Sequence, residues 1–351
     1  MASKPNAYDV WSQIEQQGLQ AIQGVTICSG EESYFIKKVE SLALASVEEG
    51  AKDFNVDKVY GSEASVEQIV GLAKQFPMMS ERRVVLVREA MSLKGMSSAE
   101  GQKALLNYIQ QPLASTLLLF VDTKGLDKRT NFAKECAKAP NVHLYTFDSL
   151  QPAQASHWLQ KHARDTYNVT LEPVASQEFI EWVGVDCTML DSELQKIVTH
   201  ANQGQSIDRT ALRSLLSKTR ELSSFELKDA IIARDLTKSH QIIRRMKQTD
   251  ETLIGESLRM IGMLSNTFTL FWVILRGKQK GLSSQEIQAQ INVNPYYYKV
   301  LERQVNGYHL AEIPGIMEAL LDADRALKGF DAGAPHDVLQ DVVTRIHQPV
   351  A

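Results

Sequence analysis

Three cysteines in 351 residues, Cys28, Cys136 and Cys187, are far apart, odd in number and free of any C-x-x-C spacing. Neither a disulfide framework nor a zinc site is expected, and a reducing compartment is. A surplus of basic charge is also missing, since 38 Lys and Arg stand against 42 Asp and Glu, for a net charge of -4. Bulk electrostatic capture of nucleic acid needs a Lys/Arg excess on at least one face, so any DNA contact is expected to be local or shared. The first 17 residues carry Asp9 and Glu15 and no hydrophobic centre, unlike a secretory signal. No run reads as the ~20 apolar residues of a membrane span. The expectation is a cytoplasmic protein with no membrane partner. Internal repeats and low-complexity tracts are absent as well. An apolar content of 44% with 23% charged residues predicts a packed globular chain of two or three domains.

Catalytic chemistry is equally scarce. Cys28-Ser29-Gly30-Glu31-Glu32-Ser33-Tyr34 follows an apolar run and precedes an amphipathic segment, where a nucleotide-binding α/β protein places its phosphate loop. Such a loop needs several glycines, a Lys for the β/γ phosphates and a hydroxyl for magnesium. Here one glycine is followed by two carboxylates, which would repel a triphosphate. Farther on, Arg88-Glu89 stands where an ATPase of this layout carries an acidic pair. Nothing near Gly30 spells G-x-G-x-x-G, and the eight scattered histidines form no H-E-x-x-H, nor is there a G-x-S-x-G elbow. Gly30-Glu31-Glu32 reads as a tight turn whose acidic residues suit a helix N-terminus. No catalytic, cofactor-binding or metal-binding residue is assigned, and no intrinsic ATPase activity is expected.

What the sequence does contain is a rhythm. Val25–Ile27, Asn55–Val59, Val84–Val87, Thr116–Val121 and Val142–Tyr145 read as strands, separated by helices near 31–48, 65–76, 100–110 and 129–138. That alternation predicts a parallel, doubly wound sheet. After Leu150-Gln151-Pro152 the pattern is helical only, with spans near 153–167, 173–183, 188–202 and 208–217. Longer helices follow at Phe225–Leu236, His240–Lys247, Thr252–Gly277, Ser284–Gln290, Tyr296–Gly307 and Pro314–Lys328. Ser223 or Ser224 with Glu226 reads as the N-cap of the first of these. Residues 224–351 hold 15 basic and 15 acidic side chains, as suits a neutral scaffold or oligomerisation domain. The fold class expected is α/β plus all-α, with domains at 1–148, 149–221 and 222–351.

Phe76-Pro77-Met78-Met79-Ser80-Glu81-Arg82-Arg83 stands out within this pattern. Val66, Ile69, Val70, Ala73 and Phe76 share one helical face, and Pro77 cannot continue that helix. Met78 and Met79 therefore fall on a short connection before a buried β-branched run, at the rim of the sheet. Thioether side chains are adaptable and suit a protein-binding surface. The same pair also suits a cap on the core beneath, and the residues alone leave both readings open. Lys124, Lys128, Arg129, Lys134 and Lys138 form one basic patch, and Arg234, Lys238, Arg244, Arg245 and Lys247 another. Each reads as a solvated helix face or as a contact for an acidic partner or a DNA backbone.

Taken in order, these segments resemble a known family. Val25 through Ile36, Phe76 through Val85, Lys124-Gly125-Leu126-Asp127-Lys128-Arg129 and Leu190-Asp191-Ser192-Glu193-Leu194-Gln195-Lys196 resemble the delta subunit of bacterial DNA polymerase III. So do Phe225-Glu226-Leu227-Lys228-Asp229-Ala230 and Ala323 through Gly329, so that the resemblance runs from about 25 to 330. It implies an AAA+-like sheet domain, a small helical lid and a helical collar within a pentameric clamp loader. The implied role is to bind and open the beta sliding clamp, with ATP handled by the gamma/tau partners and a delta-prime subunit completing the complex on primed DNA. An apolar pair before the third strand enters the clamp in that family. Met78 and Met79 match it, where many relatives carry Leu and Phe, with Pro77 and Phe76 fixing their presentation and Arg82 and Arg83 supporting the loop. Lys124, Lys128, Arg129 and Phe330 are the candidates for contact with DNA or an acidic partner. Two other classes remain in view: a nucleotide-hydrolysing enzyme with a degenerate phosphate site, and a stand-alone DNA-binding protein.

Overall fold

A computed structural model describes residues 5–125, 129–199, 204–217, 222–246, 253–291, 293, 295–331 and 334–347. The chain forms two compact units: residues 1–150 with 186–188, and 151–185 with 189–351. The expected collar falls in the second, as does the expected lid apart from residues 149–150 and 186–188.

In the first unit the element order is α1 (Ala7–Gln17), β1 (Val25–Ser29), α2 (Ser33–Ala45), α3 (Lys52–Asn55), β2 (Val56–Tyr60) and α4 (Val66–Ala73). It continues with β3 (Arg83–Arg88), α5 (Ala99–Gln110), β4 (Thr116–Asp122), α6 (Asn131–Lys138) and β5 (Val142–Thr146). The five strands make one parallel sheet in the order β2-β3-β4-β1-β5. The expected parallel α/β sheet is present, and burial follows strand position. Nearly every residue of β1, β3 and β4 is buried, whereas β2 and β5, at the two edges, are half-buried or exposed. Val66, Ile69, Val70 and Ala73 of α4 pack with Leu105, Tyr108 and Ile109 of α5 against Val85, Val87, Leu118 and Phe120.

Helix α4 begins at a reciprocal cap between Ser65 and Gln68 and stops at Ala73, earlier than its apolar spacing suggests. Phe76 precedes proline, which disfavours the helical conformation there, so the last turn closes at Lys74 and Gln75. The buried Tyr108 hydroxyl donates to the Ala73 carbonyl at 3.2 Å and satisfies one of the acceptors that a helix end exposes. Phe76 consequently leaves the buried face and is 74% exposed.

In the second unit α7 (Pro152–Tyr167), α8 (Pro173–Val183), α9 (Cys187–Val198) and α10 (Arg209–Ser217) are followed by α11 (Leu222–Ile232), α12 (Leu236–Met246) and α13 (Leu253–Gln279). The chain then forms α14 (Ser284–Ile291), α15 (Pro295–Gln304), α16 (Ile313–Leu327) and α17 (Pro335–His347); the first residues of α9 count with the first unit. The second unit is not purely helical as expected, because β6 (Thr170–Leu171) pairs in parallel with β7 (Ser206–Ile207). α11 begins at Leu222, so Ser223 and Ser224 stand inside it and not at the position before its first residue. Ion pairs bind α8, α10 and α11 together: Glu178 with Arg209 and Arg213, both arginines with Asp229, and the buried Lys228 with the buried Glu181.

Helix α13 corrects one sequence expectation. Its most apolar 18-residue window has a mean hydropathy of 1.5, so by length and composition it is capable of crossing a membrane. Half of that window is buried within the protein, with Met260, Leu264, Phe268 and Phe271 inside and α11, α14, α16 and α17 packed around it. A helix that is apolar almost all round is what the centre of a helical unit requires.

Candidate protein-docking site at the sheet edge

Because all five strands run in parallel, the segments that enter them share one edge of the sheet and the segments that leave them share the other. The connection from α4 into β3 and that from α3 into β2 lie side by side at the entry edge, since β2 pairs with β3, Val56 opposite Val84. On this edge the structure gathers four exposed apolar side chains. Met79 is 98% exposed, Phe76 74%, Phe54 60% and Met78 58%. A cluster of large apolar groups in solvent marks an interaction site more often than a lone exposed side chain does. Neither methionine serves as the core cap that composition left open. Pro77 is half-buried between them and Phe76.

The loop backbone is held in place. Asn55, the last residue of α3, is completely buried. Its side-chain amide accepts the Met78 N–H at 2.7 Å and donates to the Met78 carbonyl at 2.7 Å, and also donates to the Ala51 carbonyl at 2.9 Å. Next in sequence, Met79 takes the left-handed conformation with φ 52°, which is uncommon for a residue other than glycine. The Ser80 hydroxyl then accepts the Arg82 N–H and donates to the Arg82 carbonyl at 3.4 and 3.3 Å.

Arg82 and Arg83 differ in placement. Arg82 is half-buried. Arg83 opens β3 and is 6% exposed, donating to the Phe54 carbonyl at 3.0 Å and pairing with Asp57 at 2.6 Å. Its guanidinium therefore ties the loop leading into β3 to the corner leading into β2 and is directed into the protein. Sequence reasoning missed Phe54 and Asn55. The sequence pattern makes Asn55 the first residue of a strand, whereas it ends α3, and nothing local distinguishes an asparagine that bonds a residue 23 positions away.

At the opposite edge, Lys124 and Arg129 are exposed after β4, and Lys128 lies outside the described residues. The Lys124 N–H donates to the Asp122 carboxylate at 2.7 Å, and Lys138 pairs with Glu135 on the same helix at 3.0 Å. The structure thus places Lys124 and Arg129 at the end of the sheet opposite the methionines, whereas Lys138 closes the helix that leads back toward the entry of β5.

The turn after β1 shares the exit edge. Gly30 has φ 132°, and an added Cβ would lie 2.2 Å from the Phe147 carbonyl oxygen, so only glycine fits. Glu32 is 2% exposed, and its carboxylate accepts the N–H groups of Tyr34 and of Cys187 at 3.3 Å each. Burial raises its pKa above the usual carboxylate range. Where a phosphate loop offers backbone donors to a ligand, the Tyr34 N–H of this turn is taken by the chain's own carboxylate, which also accepts the Cys187 N–H of α9. Glu31 accepts the Ser149 hydroxyl at 2.9 Å.

In the second unit, Phe330 is 75% exposed. It follows Gly329, whose φ of 81° permits the Phe330 N–H to reach the Arg325 carbonyl and the Gly329 N–H to reach that of Ala326, a helix-ending pair of bonds that glycine favours. The second basic cluster is corrected at Arg234, which is no part of a solvated helix face. It packs over the Tyr308 ring at 4.3 Å and bonds the Gly307 and Ile346 carbonyls and Glu312. Lys247 lies outside the described residues. Among the described residues, no group of three or more His, Cys, Asp or Glu is arranged to hold a metal ion.

Comparison with known proteins follows the same division of the chain. Residues 27–145 match the family described as DNA polymerase III, delta subunit, and residues 221–332 match the delta subunit's C-terminal domain. A Bacillus subtilis protein named DNA polymerase III subunit delta is 25% identical over 329 residues, covering 92% of this chain and 91% of that protein. Among solved structures, the Bacillus subtilis DNA clamp loader delta protein superimposes with a TM-score of 0.56 at 23% identity, covering 97% of this chain and 99% of the other. That likeness extends the agreement in fold over both units. The chain belongs to the DNA polymerase III delta-subunit family.

Proposed function

We propose that this chain is the noncatalytic subunit of a bacterial clamp loader that binds the beta sliding clamp and favours its open form. Met78 and Met79 are the side chains that enter the clamp, and Phe76 and Pro77 complete their apolar surround. The observation that carries this reading is an apolar pair held in solvent by a hydrogen-bonded backbone, at the position where the family inserts its own apolar pair. Burying two such side chains contributes roughly 3–6 kcal/mol before the costs of association, whereas micromolar binding needs about 8 kcal/mol net. The methionines therefore act as hot spots within a wider contact. Binding that prefers a distorted ring shifts the clamp toward opening without any covalent step. ATP turnover belongs to the gamma/tau partners, delta-prime completes the assembly, and primed DNA is met by the whole complex, in the cytoplasm.

The buried Glu32 supports this reading over a nucleotide-hydrolysing one, because its carboxylate takes the Tyr34 N–H at the start of α2 and puts a negative group where a phosphate would sit. The decisive experiment is a titration of the purified chain with the sliding clamp in the absence of ATP. A stable complex is expected, and the combined Met78→Ala, Met79→Ala substitution should weaken it at least about 100-fold while the circular dichroism and melting temperature stay unchanged. Equal affinity of the variant and the parent would remove the methionines from the site.

A further inference from the structure

We infer that Asn55 is the positioning residue that presents Met78 and Met79 to the partner, an inference that rests on the proposed clamp-binding role of the methionines. The side chain lies at the junction of α3 and β2, is fully buried, and serves both the N–H and the C=O of Met78 at 2.7 Å each. One amide thus does for Met78 what a neighbouring strand does for a residue in a sheet. The Ala51 carbonyl takes the remaining Nδ2 hydrogen at 2.9 Å, which fixes the amide's orientation and leaves it no alternative rotamer with the same bonds. On the far side of Met78, the chain turns through the left-handed Met79. Fixing a loop's backbone costs conformational entropy, and a loop already fixed in its docking shape spares association that cost.

No other side chain reproduces the arrangement. Asp has two acceptors and no donor for the Met78 and Ala51 carbonyls when ionised, Leu has the shape without either bond, and Gln is one methylene too long for the space between α3 and the loop. Loss of the amide leaves a loop that visits the docking shape only part of the time. Apparent affinity then falls in proportion to the competent fraction, and the fall appears in the association rate. Loss of a contacting side chain would instead speed dissociation. This separates Asn55 from the methionines kinetically.

The test uses the full chain with Asn55→Ala and, as a second variant that brings in no buried charge and whose hydroxyl can still donate to the Ala51 carbonyl one turn back, Asn55→Ser. Amide hydrogen exchange at Met78 in the free protein should accelerate at least about tenfold, and the association rate with the sliding clamp should fall by about the same factor with the dissociation rate nearly unchanged. Global stability, followed by urea unfolding, identifies any variant that fails to fold; should Asn55→Ala do so, Asn55→Ser carries the test. Unchanged Met78 exchange, or a parental association rate in a folded variant, overturns the inference. The exchange measurement needs no partner. If the methionine substitutions leave clamp affinity unchanged while Met78 exchange still depends on Asn55, the docking role proposed for the loop fails and so does the presentation role, but the loop's geometry stands. If the methionines matter and Asn55 does not, the positioning role alone fails.

Discussion

Two connections of the same sheet break the usual rule of apolar inside and charged outside, and they break it in opposite senses. At the exit edge, the turn from β1 into α2 buries Glu32 under two backbone N–H groups. At the entry edge, the loop from α4 into β3 leaves Met79 almost wholly in solvent. In open α/β sheets the exit edge is the usual place for a ligand. Here the Tyr34 N–H at the start of α2 is taken by the chain's own Glu32, and the most exposed methionine lies at the other end of the strands. A side chain that costs free energy where it stands is informative about function when its partner is missing from the chain, and about architecture when its partner is present. Glu32 has partners and Met79 has none among the residues described, so the two violations teach different things.

The contrast can be broken at its supports. The largest effect is expected from Arg83→Met, which leaves Asp57 and the Phe54 carbonyl without their guanidinium. Asp57 remains partly in solvent, so the expected loss is about 2–3 kcal/mol of stability by urea unfolding, together with weaker clamp binding. A variant as stable as the parent would mean that the entry edge needs no internal tie. Next comes Glu32→Ala, which strands two buried donors at a cost of about 1–2 kcal/mol and should leave clamp affinity as it was. The sign of its pH dependence follows from linkage. Burial holds the Glu32 pKa above its unfolded value, so this residue's contribution is fully present below the unfolded pKa and declines as pH rises through the folded one. The substitution should therefore cost more near about pH 5 than near about pH 8, and the reverse order would show that the carboxylate is stabilised by its donors more than it is penalised by burial. The smallest effect is expected from Phe54→Ala, with stability unchanged and clamp affinity reduced roughly fivefold, about 1 kcal/mol. No loss would confine the docking surface to the loop between α4 and β3.

Much of the first unit is written in its local pattern. The runs that form β1, β3 and β4 are apolar because both faces of these central strands are covered, and their β-branched composition marks them. The helical faces of α4 and α5 repeat at the spacing that burial demands. The two-residue strands β6 and β7 are too short to show a period, whereas α1 and α17 carry a readable helical spacing, Leu339, Val342, Val343 and Ile346 in α17, that the sequence reading passed over. The exposed methionines were legible because proline and the adjacent strand confine them to a connection. Phe76 was assigned to the buried face because its spacing fits, and only the backbone restriction imposed by Pro77 moves it out. Asn55 and Arg234 were missed for one reason. Their meaning lies in carbonyl groups brought close by folding, 23 residues away for Asn55 and as far as 112 for Arg234, and a backbone carbonyl looks the same at every position of a sequence.

The left-handed backbone at Met79 carries a last consequence, for which residues can ever stand there. A side chain branched at Cβ is a steric outlier in that conformation, so valine, isoleucine and threonine are penalised before any partner is met. Leucine, phenylalanine and methionine pass, since they branch farther out or not at all, and asparagine and glycine fit the backbone but bring no apolar surface. Two independent filters, one set by the chain and one by its partner, leave a short alphabet at this position. A library randomised at residue 79 and selected only for folding would already discard the β-branched members; adding selection for docking would then remove the small and polar ones.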